Sequence, residues 1–209
     1  MYMSYGINLA SLDIDEYKQL LKKQNLLPSR RLLWDGIDEK FALFTKMGIK
    51  NVKQLLKLLS DKKATEKLVT SALTSDYMTI LKRELGTLIQ KPIPLSDFPD
   101  VEKALVDNLM TKGIKTTKDY YETANHVSDD YLYALSDLVR INGVGPLAAT
   151  IFVECGYSSV SSIARADAHL LLMQVNSIND KKHYYKGNLG EKDMRFCIDY
   201  AQLLEKYAN

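Results

Sequence analysis

Leu138-Val139-Arg140-Ile141-Asn142-Gly143-Val144-Gly145-Pro146-Leu147-Ala148-Ala149-Thr150-Ile151-Phe152 reads as a helix end, a two-glycine turn and the start of an apolar helix. Gly143 and Gly145 allow positive φ and close approach by another molecule. Pro146 suits a first helical position, where its missing N–H costs nothing. Backbone amides converging at such a helix N-terminus hold an anion, phosphate above all. The plainer meaning is a turn that only joins two packed helices.

Around this stretch the chain repeats. Gly48-Ile49-Lys50-Asn51-Val52-Lys53-Gln54-Leu55 recurs as Gly113-Ile114-Lys115-Thr116-Thr117-Lys118-Asp119-Tyr120, and again as Gly156-Tyr157-Ser158-Ser159-Val160-Ser161-Ser162-Ile163. Each copy has a helix-ending glycine, an apolar residue and a small polar residue placed to cap the next helix. Gly143 stands thirteen residues before Gly156, Asp100 thirteen before Gly113, and Gly36 twelve before Gly48. Three helix–turn–helix units follow, and only the third keeps both turn glycines. The linking helices repeat as well: Ser75-Asp76-Tyr77-Met78 parallels Asp129-Asp130-Tyr131-Leu132.

The expected fold is therefore all-α, with the second and third units paired about a pseudo-twofold axis. Gln90-Lys91-Pro92-Ile93-Pro94-Leu95 reads as extended. It divides a region 1–91 with one degenerate unit from a region 92–209 with two. Ala168 to Gln174 reads as a helix and Asn176 to Gly190 as a loop. A closing helix from Glu191 to Tyr207 carries Met194, Cys197, Ile198, Ala201 and Leu204 at 3–4 spacing.

The 209 residues hold 16 Lys/Arg against 10 Asp/Glu over 1–95, and 12 against 16 over 96–209. The best turn thus sits in the acidic half. No apolar run of about 18 residues suggests a membrane span, and the N-terminus lacks a signal-peptide pattern, so the expected location is cytoplasmic. Cys155 and Cys197 have no metal-ligand spacing, and His126, His169 and His183 suggest no metal site. Lys50, Lys53 and Lys57, with Lys46 and Lys62, Lys63 and Lys67 nearby, offer either a basic surface or a solvated helix face. Arg30 and Arg31 beside Trp34 offer charge plus stacking, or a tryptophan in a core.

These residues resemble the helix-hairpin-helix motif of DNA repair and replication proteins. Ile141-Asn142-Gly143-Val144-Gly145-Pro146-Leu147-Ala148-Ala149 and Gly113-Ile114-Lys115-Thr116-Thr117-Lys118-Asp119 are similar to the DNA polymerase beta family. The whole chain also resembles bacterial and archaeal proteins built from tandem units, a likeness that implies no particular activity. The resemblance implies sequence-independent nucleic-acid binding, to DNA rather than RNA. Its contacts would be Gly143, Val144, Gly145, Leu147 and Ala148, with Arg140 as the neighbouring cation. It further implies a monovalent cation held by the carbonyls of Val139, Ile141 and Val144, and no other cofactor. Such hairpins carry Lys or Arg just past the second glycine, where this chain has Pro146 and Leu147.

An enzymatic reading compares Ala166-Asp167-Ala168-His169 with helix-hairpin-helix glycosylases, whose catalytic Asp follows the hairpin at a similar distance. Leu147 stands where the bifunctional enzymes need lysine, and two cysteines exclude a four-cysteine cluster. Asp167 is more simply a helix cap. The expectation is a non-enzymatic nucleic-acid-binding protein. The alternative is a protein-interaction scaffold, favoured if the hairpin opens onto Asp100, Asp137 and Glu154.

Overall fold

The computed structural model describes residues 4–123 and 130–208; His126 and Asp129 lie outside the described residues. The protein is all-α, with no sheet among those residues. Its helices are α1 (Ile14–Lys23), α2 (Ile37–Lys46), α3 (Val52–Ser60), α4 (Lys62–Lys67), α5 (Ser75–Gly86), α6 (Lys103–Thr111), α7 (Thr117–Thr123), α8 (Tyr131–Leu138), α9 (Pro146–Glu154), α10 (Val160–Ala164), α11 (Ala168–Lys182) and α12 (Glu191–Tyr207), with short 3-10 turns at Pro28–Trp34 and Leu95–Asp97.

Two compact units result. One is Asn8–Ile89; the other begins at Gln90 and includes the N-terminal segment ending at Ile7. Ser4 to Ile7 pack with the later unit. Tyr5 is buried there, its hydroxyl 2.8 Å from Thr117 Oγ1 and its ring edge-on to Tyr121. The Ile7 amide donates to Gln90 Oε1 (2.7 Å), whose amide nitrogen in turn donates to Tyr200 (2.7 Å). The docking rests on aromatic packing and buried hydrogen bonds, which leave no periodic signal in the sequence.

The repeat is a conformational fact. Gly48, Gly113 and Gly156 have φ of 83°, 83° and 90°, where side chains other than glycine are strained. Their amides donate to Thr45, Met110 and Val153, and the next residues reach back to Phe44, Leu109 and Phe152. This double bond closes a helix C-terminus. Asn51, Thr116 and Ser159 then cap the following helices through Gln54, Asp119 and Ser162 amides. Even the next amide is answered three times: Val52 donates to Leu12 O, Thr117 to Ile93 O, and Val160 to a carboxylate oxygen of Asp137.

Apolar spacing places the cores. In Asn8–Ile89, Tyr17, Leu21, Phe41, Phe44, Leu55, Leu81 and Leu85 are buried, at about 1.5–3 kcal/mol for each Leu or Phe side chain. In the other unit, Leu95, Val106, Leu109 and Leu132 form a cluster with Val101, Ile114 and Tyr120 against it. α9 packs on α8 and α11, while α12 packs across α10 and α11. The closing helix buries Met194, Ile198, Ala201 and Leu204 as its spacing requires, with Cys197 half-buried.

α11 departs from expectation, running to Lys182 through residues read as a loop. Val175 stays in the core, Asn176, Ser177 and Asp180 occupy its exposed face, and Lys181 and Lys182 meet the negative end of its dipole. Tertiary packing overrides weak intrinsic propensity here.

Candidate nucleic-acid interface at the third hairpin

α8 delivers the chain to the hairpin. The Arg140 and Ile141 amides close its last turn on Asp137 and Leu138 carbonyls, and the Val144 amide donates to Ile141 O at 3.0 Å. Gly143, at φ 88°, turns the chain. Gly145 caps α9 with extended angles, φ −93° and ψ −177°, and no side chain answers the first turn of the helix. The Leu147 and Ala148 amides belong to that first turn and have no intrahelical acceptor.

The two glycines are there for different reasons. Gly143 is required by its φ, and a Cβ there would come within 3.7 Å of Phe196 Cε1. Gly145 has angles open to any residue, and a Cβ built on it meets nothing within 4 Å. Neither backbone strain nor internal packing demands glycine at 145. What its missing side chain preserves is open space in front of the α9 amides.

The other hairpins lack this arrangement. Gly36 is itself the left-handed cap of α2. In the second hairpin Glu102 is the cap of α6, its side chain accepting no first-turn amide. Among the described residues His183 is the one non-glycine with positive φ, so Asp100 does not adopt the conformation of Gly143. Asp38, near the first hairpin, is held below the usual carboxylate range by Lys22, its hydrogen-bond partner at 2.7 Å, with Lys18 adding to the effect.

Several expected contacts stand elsewhere. Arg140 is 4% exposed, and its guanidinium donates to Asp137, to the Tyr121 hydroxyl (2.7 Å), to Tyr5 O (2.8 Å) and to Ser4 O (3.3 Å). With four of its five N–H groups engaged, Arg140 is an internal tie and not a surface cation. Val144 is buried and its amide is spent within the turn, so it offers no donor. Gly143 and Leu147 are exposed; Gly145 and Ala148 are half-buried.

Val139, Ile141 and Val144 are all buried and contribute backbone carbonyls only. The Ile141 carbonyl keeps one lone pair beside its bond to Val144. Uncharged oxygens of this kind fit a singly charged ion better than a divalent one. No His/Cys/Asp/Glu group suited to a metal ion occurs among the described residues.

The acidic neighbours are neutralised. Asp137 pairs with Arg140 and accepts from Val160. Glu154, at the far end of α9, accepts from Lys182 (2.6 Å) and Tyr184 (2.8 Å). Burial opposes its ionisation, yet these two bonds hold its carboxyl below the ordinary range. Asp167 caps α11 through the Leu170 amide, which accounts for it structurally. Burial pushes the Cys155 thiol up to about 11 and that of Cys197 to about 12, leaving both protonated at neutral pH.

In Asn8–Ile89, Lys46, Lys50, Lys53 and Lys57 are exposed, and among the described residues none pairs with a carboxylate. Lys53 and Lys57 share the outer face of α3, opposite Val52, Leu55 and Leu59. Trp34 is half-exposed and its indole donates to Leu21 O (2.8 Å), while Arg30 pairs with buried Glu84. Both are structural.

No helix among the described residues is long and apolar enough to cross a membrane. No curated protein and no solved structure matches the chain. Residues 135–182 match the SAM-like helix-hairpin-helix tandem family. That span runs from α8 through the Gly143–Gly145 hairpin to α11.

Proposed function

We propose that the protein binds nucleic acid, in the first instance DNA, without reading sequence and without catalysing a reaction on it. A backbone phosphate occupies the space in front of Gly145, accepting from the Leu147 and Ala148 amides and from those of Gly143 and Gly145. The matched tandem supports nucleic-acid binding in general. The observation that carries the site is the open, uncapped N-terminus of α9 behind a glycine that the fold does not need. Amides recognise phosphate and not bases, so affinity should be indifferent to sequence. A monovalent cation on the Val139, Ile141 and Val144 carbonyls would add positive charge on the same turn. In the other unit, Lys50, Lys53 and Lys57 provide a basic surface of their own for phosphates.

The test is binding of labelled DNA of unrelated sequences by the folded protein across a salt series. Sequence-independent affinity that weakens with salt is expected; undetectable binding at low salt would refute the reading. A protein-scaffold role is favoured by one feature, Leu170 and Met173, each 56% exposed on α11. That reading predicts self-association or partner capture that Leu170→Ser abolishes while DNA affinity stays unchanged.

A further inference from the structure

The hairpin lacks the cation that usually follows its second glycine, and the residues that border it are apolar. Leu147 is 37% exposed on α9. From α12, more than fifty residues later in the chain, comes Phe196, also 37% exposed, with its Cε1 3.7 Å from the point that a Cβ on Gly143 would occupy. A phenyl ring left in water costs free energy that burial would recover. Here it stands beside amides that attract an anion. The ligand chemistry fitting both at once is an anionic group and a flat aromatic group on one small framework, which describes a nucleotide.

We infer that Phe196 is a stacking platform for an unpaired base, so that this surface takes single-stranded or gapped DNA in preference to intact duplex. The inference rests on the nucleic-acid reading above. In a duplex the bases are stacked on one another and only the sugar–phosphate rim would meet the ring; an unpaired base offers its face. Lys192 supports the same geometry. It lies one turn before Phe196 on the same side of α12, about 6 Å along the axis. It is exposed and without a carboxylate partner among the described residues, placed for a neighbouring phosphate. Two acids stand three residues either side of Phe196: Asp193 is engaged with the Gly190 amide at 2.8 Å, and partial burial raises the pKa of Asp199, with Arg195 opposing.

The experiment compares three labelled DNAs of equal length by fluorescence anisotropy: single strand, duplex with a short gap, and intact duplex. Wild type should bind the first two more tightly than the third. Phe196→Ala should lose roughly fivefold or more on single-stranded and gapped DNA and remain unchanged on duplex. Phe196→Leu keeps the apolar volume without the π-face and should show the same loss, which decides the matter if the alanine variant melts early. Phe196→Trp should retain binding, and its fluorescence should be quenched by the single strand. Equal affinities for the three DNAs, or unchanged single-strand binding by Phe196→Leu, would overturn the inference while leaving the hairpin reading standing. A Phe196→Ala change in sedimentation without a change in affinity would assign the ring to a protein contact, and also overturn it. Loss of hairpin binding altogether, with Gly145→Asp indistinguishable from wild type on every DNA, would overturn both.

Discussion

Gly145→Asp separates a binding hairpin from a merely structural one, because it should move stability and affinity in opposite directions. The backbone angles at Gly145 suit an N-cap aspartate, and a Cβ meets no atom within 4 Å. The new carboxylate would accept from the Leu147 or Ala148 amide, as Asp13, Asp130 and Asp167 do for α1, α8 and α11. Replacing glycine at permitted angles restricts the unfolded chain by about 0.4–1 kcal/mol. Aspartate exceeds glycine as an N-cap by a few tenths, and its charge interacts favourably with the helix dipole. These terms overlap, so the net gain is about 1 kcal/mol, or about 2–4 °C in Tm.

The same carboxylate occupies the amides that would hold phosphate and repels the phosphate itself. Loss of one hydrogen bond to a charged acceptor costs about 1.5–3 kcal/mol, so affinity should fall about tenfold or more. The assays are a thermal melt and DNA binding at fixed salt. Gly143→Ala is the contrast: its left-handed φ makes it destabilising by about 1–2 kcal/mol, with any loss of binding following from the distorted turn. A Gly145→Asp protein that melts higher and binds DNA like wild type would refute the assignment of phosphate to this hairpin. One that melts lower would refute the geometry.

Arg140→Met leaves Asp137 buried without its cation and strips a donor from Ser4, Tyr5 and Tyr121; breaking such a pair costs about 3–5 kcal/mol. Urea denaturation checks this, and wild-type stability would show that Arg140 is not the tie described. Lys53→Glu with Lys57→Glu should leave stability within about 0.5 kcal/mol. The pair should also flatten the plot of log affinity against log salt by about 0.9 for each phosphate no longer neutralised. An unchanged slope makes α3 a solvated face. Asp119 is partly buried, which raises its pKa, but bonds from the Lys115 and Thr116 amides and the Thr116 hydroxyl outweigh that and hold it low. A depressed folded pKa gives stability that is complete above the unfolded value, about 4, and is lost as pH falls through the folded one. Asp119→Asn should therefore flatten the acid limb of the pH–stability curve, and an unaltered limb would contradict it.

What could be read from the sequence was local. A glycine at positive φ admits few substitutes, so Gly48, Gly113 and Gly156 marked their turns wherever else the copies diverged. The spacing of Met194, Ile198, Ala201 and Leu204 fixed the inner face of α12 by itself. The missed features depend on partners far away in the chain. Arg140 looks like a surface cation from its sequence neighbours; only the docking of Ser4 and Tyr5, with Tyr121 beside it, makes it internal. Asp137 three residues earlier was visible, but as an acid facing the hairpin and not as the counter-ion that buries with Arg140. Phe196 belongs to the hairpin surface through α12 packing, which no motif near Gly143 encodes.

The same distinction settles what the acidic second half means for the hairpin. Charge summed over a hundred residues says little about a site when Asp137 and Glu154 each have a separate occupation. In the first two copies a backbone carbonyl answers the amide that opens the post-turn helix; in the third, Asp137 takes that place and needs Arg140 to be buried there. Glu154 is held by Lys182 and Tyr184 at the opposite end of α9 from the hairpin. Asp137 and Glu154 are thus part of how the third unit is built. What remains in front of Gly145 is a set of amides bordered by Leu147 and Phe196; a phosphate bound there would be selected by amide geometry and apolar contact more than by fixed cations.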